Sequence, residues 1–384
     1  MGAPPVVRAG QSTAVDPAAA IREFHAAVAQ PDAALVVFFC SSDYDLDAIA
    51  AELRVRFEGV NVVGCTTAGE IGPAGYESRS VSGASFAAAS FKAASGLLDG
   101  LGEFTIGQGK TLAGELGDEI DLQAPTPAGP ATFAFLLIDG LSVREEPVAR
   151  SLHHALGGIP MFGGSAADGV RFGVTHVYHG GQFHTDSAVL TLVTTELPFR
   201  VFKTQHFKAE TERLVVTGAD PVRRIVREIN GLPAAEEYAR IVGVAVDHLD
   251  PTRFAASPVV VVIDGTDYVR SIQKANPDGS LTFYSAIDEG IVLRVARGVD
   301  LVGNLNSTFD ALRAEIGPLQ LVIGCDCILR NLEMTEHGLK DQVADILRAN
   351  NAVGFSTYGE QFGGAHVNQT LTGVAIGAGV SGGT

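Results

Sequence analysis

One short pattern occurs twice in this chain, almost its full length apart. Gly64-Cys65-Thr66-Thr67-Ala68-Gly69-Glu70 lies near the N-terminus, and Gly354-Phe355-Ser356-Thr357-Tyr358-Gly359-Glu360 near the C-terminus; both read G-x-[ST]-T-x-G-E. The likeness extends upstream of each copy. Residues 35–40 form an apolar run, 45–57 a helical stretch and 60–63 a second short apolar run before the first copy. Residues 319–323, a helical stretch carrying Val343, Ile346 and Leu347, and then Ala352-Val353 precede the second. Short apolar runs bounded by turn residues read as buried strands, and helical spacing of apolar residues as an amphipathic helix. Each copy is therefore strand, helix, strand and glycine-rich turn. This places the chain in the α/β class and predicts two mixed α/β lobes with duplicated strand-helix-strand units, over 30–220 and 221–376.

A third unit of the same type lies between them. Residues 133–138 form an apolar strand ending at Asp139-Gly140, and a helix is predicted over 144–156. Pro160-Met161-Phe162 then leads into Gly163-Gly164-Ser165-Ala166-Ala167-Asp168-Gly169, a degenerate relative of the two turns. Beyond it, alternation predicts strands over 174–178 and 188–194 and an earlier strand pair over 80–91. Asp16-Pro17 and Asp220-Pro221 each read as an N-cap with proline at the first helical position, so helices are expected from 17 and over 221–229. Further helices are expected over 234–242 and 307–315, and a strand from His366 to Ala375. The glycine-rich C-terminal end, from Gly377, reads as frayed.

The repeated turn offers chemistry as well as geometry. A backbone leaving a strand at glycine exposes N–H groups that no ladder satisfies, and the hydroxyls and carboxylate add polar contacts. In open parallel sheets, ligands settle where such turns converge at the carboxyl ends of strands. Thr67, Gly69, Thr357, Tyr358 and Gly359 are thus candidate ligand-binding residues around a shared cleft. The plain alternative is a tight turn capped by threonine.

Charge and composition exclude several classes. There are 27 basic against 44 acidic residues, a formal net charge of −17, which disfavours nucleic acid and anionic membrane surfaces as partners. No apolar run approaches the ~20 residues that cross a bilayer, and the N-terminus lacks a secretory pattern. The four cysteines (Cys40, Cys65, Cys325, Cys327) sit in strand-like contexts without framework spacing, which predicts a reduced, cytoplasmic protein.

Catalytic motifs are missing: no nucleophile elbow, H-E-x-x-H, phosphate loop or complete dinucleotide fingerprint is present. Cys65 with Glu70 is the best nucleophile pair, and no histidine is placed to activate it, so no enzyme is expected. Cys325-Asp326-Cys327 could offer two thiols to a metal but lacks the other ligands of a zinc site. Adjacent His153 and His154 point apart on a helix. His176, His179 and His184 fall in a strand–turn region where a metal site stays open. Arg330 follows the Cys-x-Cys strand and is expected to pair with Glu360 or a ligand carboxylate, a structural ion pair being its plainer role. His366 starts a strand beside the second turn, and a neutral imidazole there suits the axial position of a haem iron.

Together these residues resemble the FIST domain, with N- and C-terminal halves and coverage of about residues 30 to 376. The first half carries the likeness in LVVFFCSSDYDLDAIAAEL, NVVGCTTAGEIGPAGY and GGSAADG, the second in GCDCILRNLE and AVGFSTYGEQFGGAHVNQT. The resemblance implies a cytoplasmic small-ligand sensor, with amino acids or related molecules as ligands and a kinase, cyclase or chemotaxis receptor as output. GCDCILR with HVNQT is also similar to the nitric-oxide-sensing haem subgroup of these proteins. That implies haem b as cofactor, His366 as the iron ligand, a diatomic gas as signal and a separate histidine kinase as partner. A homodimer is left open. The alternative is a sensor of an amino-acid-like ligand without haem, its carboxylate held by Arg330, Thr67, Thr357 and the turn amides.

Overall fold

The computed structural model describes residues 6–123, 131–263 and 266–378, so most of the glycine-rich C-terminal end lies outside the described residues. The chain is mixed α/β, and its strand-helix-strand unit occurs three times.

The first unit runs β1 (Val7–Ser12), α1 (Pro17–Val28), β2 (Ala33–Ser41), α2 (Leu46–Arg56), β3 (Val62–Thr67), a hairpin β4 (Glu70–Gly72) and β5 (Gly75–Glu77), and β6 (Val81–Ala87). The second runs β7 (Phe91–Asp99), α3 (Ile106–Gln123), β8 (Ala131–Ile138), α4 (Glu145–Leu156), β9 (Met161–Ser165), a hairpin β10 (Val177–His179) and β11 (Gln182–His184), and β12 (Ser187–Thr195). The third opens with β13 (Phe199–Thr204). An insert follows, with β14 (Phe207–Asp220), β15 (Ile225–Ile229), β16 (Leu232–Pro233), α5 (Ala234–Val242), α6 (Pro251–Ala256), β17 (Val259–Ile263), β18 (Thr266–Arg270), β19 (Ile272–Ala275), β20 (Leu281–Phe283) and β21 (Val292–Gly298). The unit resumes with α7 (Leu301–Ile316), β22 (Leu319–Cys327), α8 (Ile328–Glu336), α9 (Lys340–Ala349), β23 (Ala352–Thr357), a hairpin β24 (Glu360–Phe362) and β25 (Ala365–Val367), and β26 (Leu371–Gly377).

Each unit completes its sheet with a neighbour's hairpin. The strand orders are β1-β6-β2-β3-β10-β11, β7-β12-β8-β9-β24-β25 and β13-β26-β22-β23-β4-β5. The first unit thus gives its hairpin to the third, the third to the second and the second to the first. The central pairs β2–β3, β8–β9 and β22–β23 are parallel and the others antiparallel. The insert is a separate eight-stranded antiparallel arrangement.

The apolar runs read in the sequence explain this layering, because a strand buried on both faces is apolar throughout. Leu35, Val37 and Phe39 of β2, Phe133, Phe135 and Leu137 of β8, and Leu321, Ile323 and Cys325 of β22 share one core between the three sheets. Their alternates turn outward under helices: Val36 and Phe38 under α1 and α2, Ala134 and Leu136 under α3 and α4, Val322 under α7 and α9. Asp16 caps its helix as expected, accepting from Ala19 N–H, and Asp45 caps α2, accepting from Asp47 and Ala48 N–H.

Two local expectations fail, and the strand expected over 174–178 begins only at Val177. The helix expected over 221–229 is a single turn, Pro221–Arg223, followed by β15. Asp220 does cap Arg223 N–H, but Arg224 adopts a left-handed backbone, and the β-branched Ile225, Val226 and Ile229 pair with β14 and β20 instead. The strand expected from His366 to Ala375 is two strands, β25 and β26, in different sheets. The expected boundary between Asp220 and Pro221 falls within the insert, between β14 and β15.

Candidate functional site

The three glycine-rich turns meet. Ala68 N–H donates to Ser356 O (2.9 Å) and Ser356 N–H to Gly69 O (2.7 Å). Ser165 N–H donates to Gly359 O (2.8 Å), and Ala167 N–H to Thr66 O (2.9 Å). Each turn thereby pairs with the next around the ring. The first glycine of the pattern is fixed by strand contact: a Cβ on Gly64 or Gly354 would lie 2.4 Å from Phe38 O or 1.9 Å from Gly324 O.

Both copies carry the same internal lock. Thr67 Oγ1 donates to Glu70, which also accepts from Ser80 N–H (3.0 Å) and Oγ (2.8 Å). Thr357 Oγ1 donates to Glu360 (2.6 Å), which also accepts from Thr370 Oγ1 (2.6 Å). Each threonine oxygen accepts in turn from the second glycine, Gly69 (3.3 Å) or Gly359 (3.0 Å). Burial pushes the Glu70 carboxyl up to about 7 and Glu360 to about 8, against the lowering effect of these hydroxyls. The polar atoms expected to face a ligand at Thr67, Gly69, Thr357 and Gly359 are engaged with the protein itself.

Arg330 is equally enclosed. Its Nε donates to Asp326 (2.7 Å), four residues back, and not to Glu360; its Nη1 meets His206 Nδ1 (3.2 Å). Tyr76, from the first unit's hairpin, donates to the other oxygen of Asp326. The ion pair is structural, and its partner differs from the one expected because Asp326 points out of β22 toward the helix that follows. Cys65 is fully buried, and burial followed by the neighbouring Cys325 pushes its thiol well up, away from a nucleophile's range.

Tyr358 of the second copy lines a cavity. At the carboxyl end of β8 the chain turns through Asp139-Gly140-Leu141 into α4, where a cavity of about 320 Å³ opens. Phe172, Tyr358 and the insert segments around Arg224 and Tyr284 close its other sides. The wall is aromatic: the Phe172 ring stacks on Tyr358 at 4.4 Å and 17°, with Tyr284 6.4 Å from Phe172. Asp168 fixes the loop. It accepts from Phe172 (2.9 Å), Gly173 (2.8 Å) and Val174 (3.0 Å) N–H and from the Tyr358 hydroxyl. Burial works to raise its carboxyl, but these donors prevail and hold it below the usual range.

The floor is charged. Arg224 Nη2 binds Glu145 (2.5 Å) and Glu146 (2.8 Å) at the start of α4, and Nη1 donates to Tyr284 O (2.6 Å). Glu146 also accepts from Ala286 N–H (2.7 Å), so the insert is latched to the second unit across the cavity. Burial pushes Glu145 up to about 7, against the pull of Arg224. Val143 (φ 56°), Phe172 (φ 52°) and Arg224 (φ 56°) all line this cavity in the left-handed region. Such backbone costs of order 1–3 kcal/mol per residue and gathers at ligand clamps. The sequence carried two pointers to this place, the strand end at Asp139-Gly140 and Tyr358 of the second turn; nothing in the spacing singled out Glu145, Phe172, Arg224 or Tyr284.

His366 lies behind the floor, 1% exposed. Burial pulls its imidazole down to about 4, helped by Arg224 and Arg270 and opposed by Glu146, so the ring is neutral at neutral pH. Nδ1 accepts from Gln361 Nε2 (3.2 Å), while Nε2 is buried without a partner. An orphaned Nε2 is the chemistry an axial ligand offers, but the packing does not fit a porphyrin. The Gly359 backbone covers the ring so closely that a Cβ there would lie 2.3 Å from Cε1 and 2.7 Å from Nε2. His366 does not line the 320 Å³ cavity. Among the described residues, no group of three His, Cys, Asp or Glu side chains is placed to hold a metal ion, His176, His179 and His184 included. No helix of the described residues is long and apolar enough to cross a membrane.

Comparison with known families agrees with the motif reading. A family model described as the FIST N domain matches residues 34–232, and one described as the FIST C domain matches residues 234–363. No curated protein matches the chain.

Proposed function

The chain belongs to the FIST family of sensory signal-transduction domains, and from that premise we propose that it senses a small amino-acid-like molecule bound in the cavity between α4, Phe172 and the insert. One observation carries the reading: three residues held in left-handed backbone converge on a single cavity whose floor is a buried Glu145–Arg224 pair and whose wall is aromatic. A carboxylate and a guanidinium side by side suit the two charges of an α-amino acid, and the volume lies within the range of small-molecule sites. Arg224, and not Arg330, Thr67 or Thr357, takes the ligand's carboxylate, and Glu145 faces its ammonium group. Binding changes how the insert sits on the second unit through the Arg224 latch, and a separate signalling protein, a histidine kinase by family resemblance, reads that change.

The test is thermal melting of the full chain against the twenty α-amino acids at millimolar concentration. Ligands of the native state raise the melting temperature, and Glu145→Gln is expected to abolish the rise. A panel without any effect sinks the reading.

Haem b with nitric oxide as the signal is the second reading, favoured by the unpaired Nε2 of His366. It requires Gly359 to withdraw from the imidazole. A Soret band after haem reconstitution that His366→Ala removes would establish it in place of the first; no band, or one unchanged by the substitution, rejects His366 as the ligand.

A further inference from the structure

Like charges placed directly opposite one another on paired strands repel. The insert keeps such a pair in a chain of net charge −17: Arg213 of β14 stands opposite Arg294 of β21 in the antiparallel register. Among the described residues, neither guanidinium is paired with a carboxylate or donates a hydrogen bond. The acids nearest in sequence are taken by other arginines. Glu212 binds Arg240 (3.0 Å) and Glu210 binds Arg297 (3.9 Å).

The pair is bordered by apolar surface. Side chains alternate across a strand, so the next pair along, Leu214 and Leu293, turns into the insert's core. The pair after that, Val215 and Val292, returns to the arginine face and is 36% and 42% exposed. β17 adds a third valine. Val261 pairs with Leu293, so one step further in the same register Val262, 41% exposed, stands beside Val292. Paired strands lie about 4.7–4.9 Å apart, so the row Val215–Val292–Val262 spans about 10 Å. That is close to two turns of an α-helix, at about 5.4 Å each. The Arg213–Arg294 row runs beside it, two residues along the strands, or about 7 Å.

An apolar row next to an uncompensated cationic row is complementary to one chemistry. Exposed apolar side chains in a contiguous row mark interaction sites. An amphipathic helix presents apolar residues at i, i+3 or i+4 and i+7 to such a surface. Carboxylates on its flank would give the two guanidiniums the charge-assisted partners that the fold withholds. The charge of the whole chain decides between occupants. A net charge of −17 opposes a second copy or an anionic bilayer, each of which brings an extended negative surface. A short acidic segment meets the local cationic row without that penalty.

Resting on the reading that a separate signalling protein senses how the insert sits, we infer that β14, β21 and β17 present that protein's docking site. The site takes an acidic amphipathic helix, with apolar side chains on Val215, Val292 and Val262 and carboxylates on Arg213 and Arg294.

Display selection of a helical peptide library on the full chain tests it, with the doubly substituted Arg213→Glu, Arg294→Glu chain as counter-selection. Selected peptides are expected to carry apolar residues at i, i+3 or i+4 and i+7 with Asp or Glu on the flank. Their dissociation constants are expected to rise at least ten-fold with Arg213→Glu and with Val292→Ser. The melting temperature of Arg213→Glu is expected to rise, because opposite charges then face each other, so lost binding does not come from unfolding. A fall shows that the fold itself uses Arg213 and overturns the site. Basic or uncharged peptides, or no selected peptide, overturn the acidic partner. Sedimentation of the chain alone, and flotation with vesicles of phosphatidylserine and phosphatidylcholine in equal parts, separate the other occupants. A dimer or vesicle binding that Arg213→Glu abolishes overturns the helix in favour of a second copy or a membrane. No amino acid is added in these measurements, so failure of the cavity ligand and failure of the docking site are told apart.

Discussion

Glu70 and Glu360 occupy the last position of the repeated pattern, and both are wholly enclosed. Their carboxyls sit at about 7 and about 8, so the folded protein holds them protonated where the unfolded chain does not. A carboxyl raised on folding adds stability that is complete below its unfolded value and is lost as pH climbs through its folded value. For Glu360 the loss runs from about pH 4.5 to about 8, with a steepest slope of about 1.4 kcal/mol per pH unit. Glu360→Gln removes the titration and keeps an oxygen for Thr357 and Thr370. Urea midpoints for both proteins at pH 5, 6, 7 and 8 should move in favour of the variant as pH rises; a constant difference would show that Glu360 does not titrate in this window. The threonine, second glycine and glutamate of each copy are thus explained by the lock.

At the scale of elements, the hairpin that follows each turn is what ties one unit to the next. Tyr76 on β5 donates to Asp326 of β22, which holds Arg330 of α8, so one phenol connects the first unit to the third. Burial and then Asp326 push the Tyr76 hydroxyl far up, which keeps it a donor at any working pH. Tyr76→Phe leaves a buried charged pair short of one donor, which costs about 1–3 kcal/mol. The predicted fall in the urea midpoint should appear equally in probes placed in the first and third units; a fall confined to the first would mean that the hairpin does not couple them. The strands, helices and turns of the three units were legible because each carries its own signal: apolar runs such as residues 133–138, caps such as Asp16-Pro17, glycines such as Gly354. Hairpin exchange carries none, since β4 and β24 read the same whichever sheet receives them. The cavity was hidden for a similar reason. Glu145 resembles any acidic residue in a first helical turn, and Arg224 owes its position to β15 pairing where a capped proline suggested a helix.

For the molecule as a whole, cyclic exchange means that no unit can close its own sheet. β9 needs β24 from the far end of the chain, and β23 needs β4 from its beginning. The shared core also draws Phe39, Phe135 and Phe355 from all three units, with Phe39 stacked on Phe355 at 4.6 Å. A fragment ending at Thr204 would retain two complete strand-helix-strand units, enough residues for a domain. It would nevertheless leave β9 without its hairpin, β4–β5 without a sheet and Phe39 facing water. It is predicted to lack a cooperative urea transition and a dispersed amide spectrum. Adding residues 205–384 as a separate chain is predicted to restore both, because the missing strands are supplied in trans. Independent folding of the N-terminal fragment would mean that exchange is incidental to stability. If the proposed ligand occupies the cavity, the same connectivity supplies its output route. The cavity is bounded by the second unit, by Tyr358 of the third and by the insert, and each of those is a sheet partner or latch of another part. A ligand that shifts Tyr358 therefore acts on a turn hydrogen-bonded to both neighbouring turns, and the disturbance reaches the first unit through Ser356 and Ala68 without any hinge.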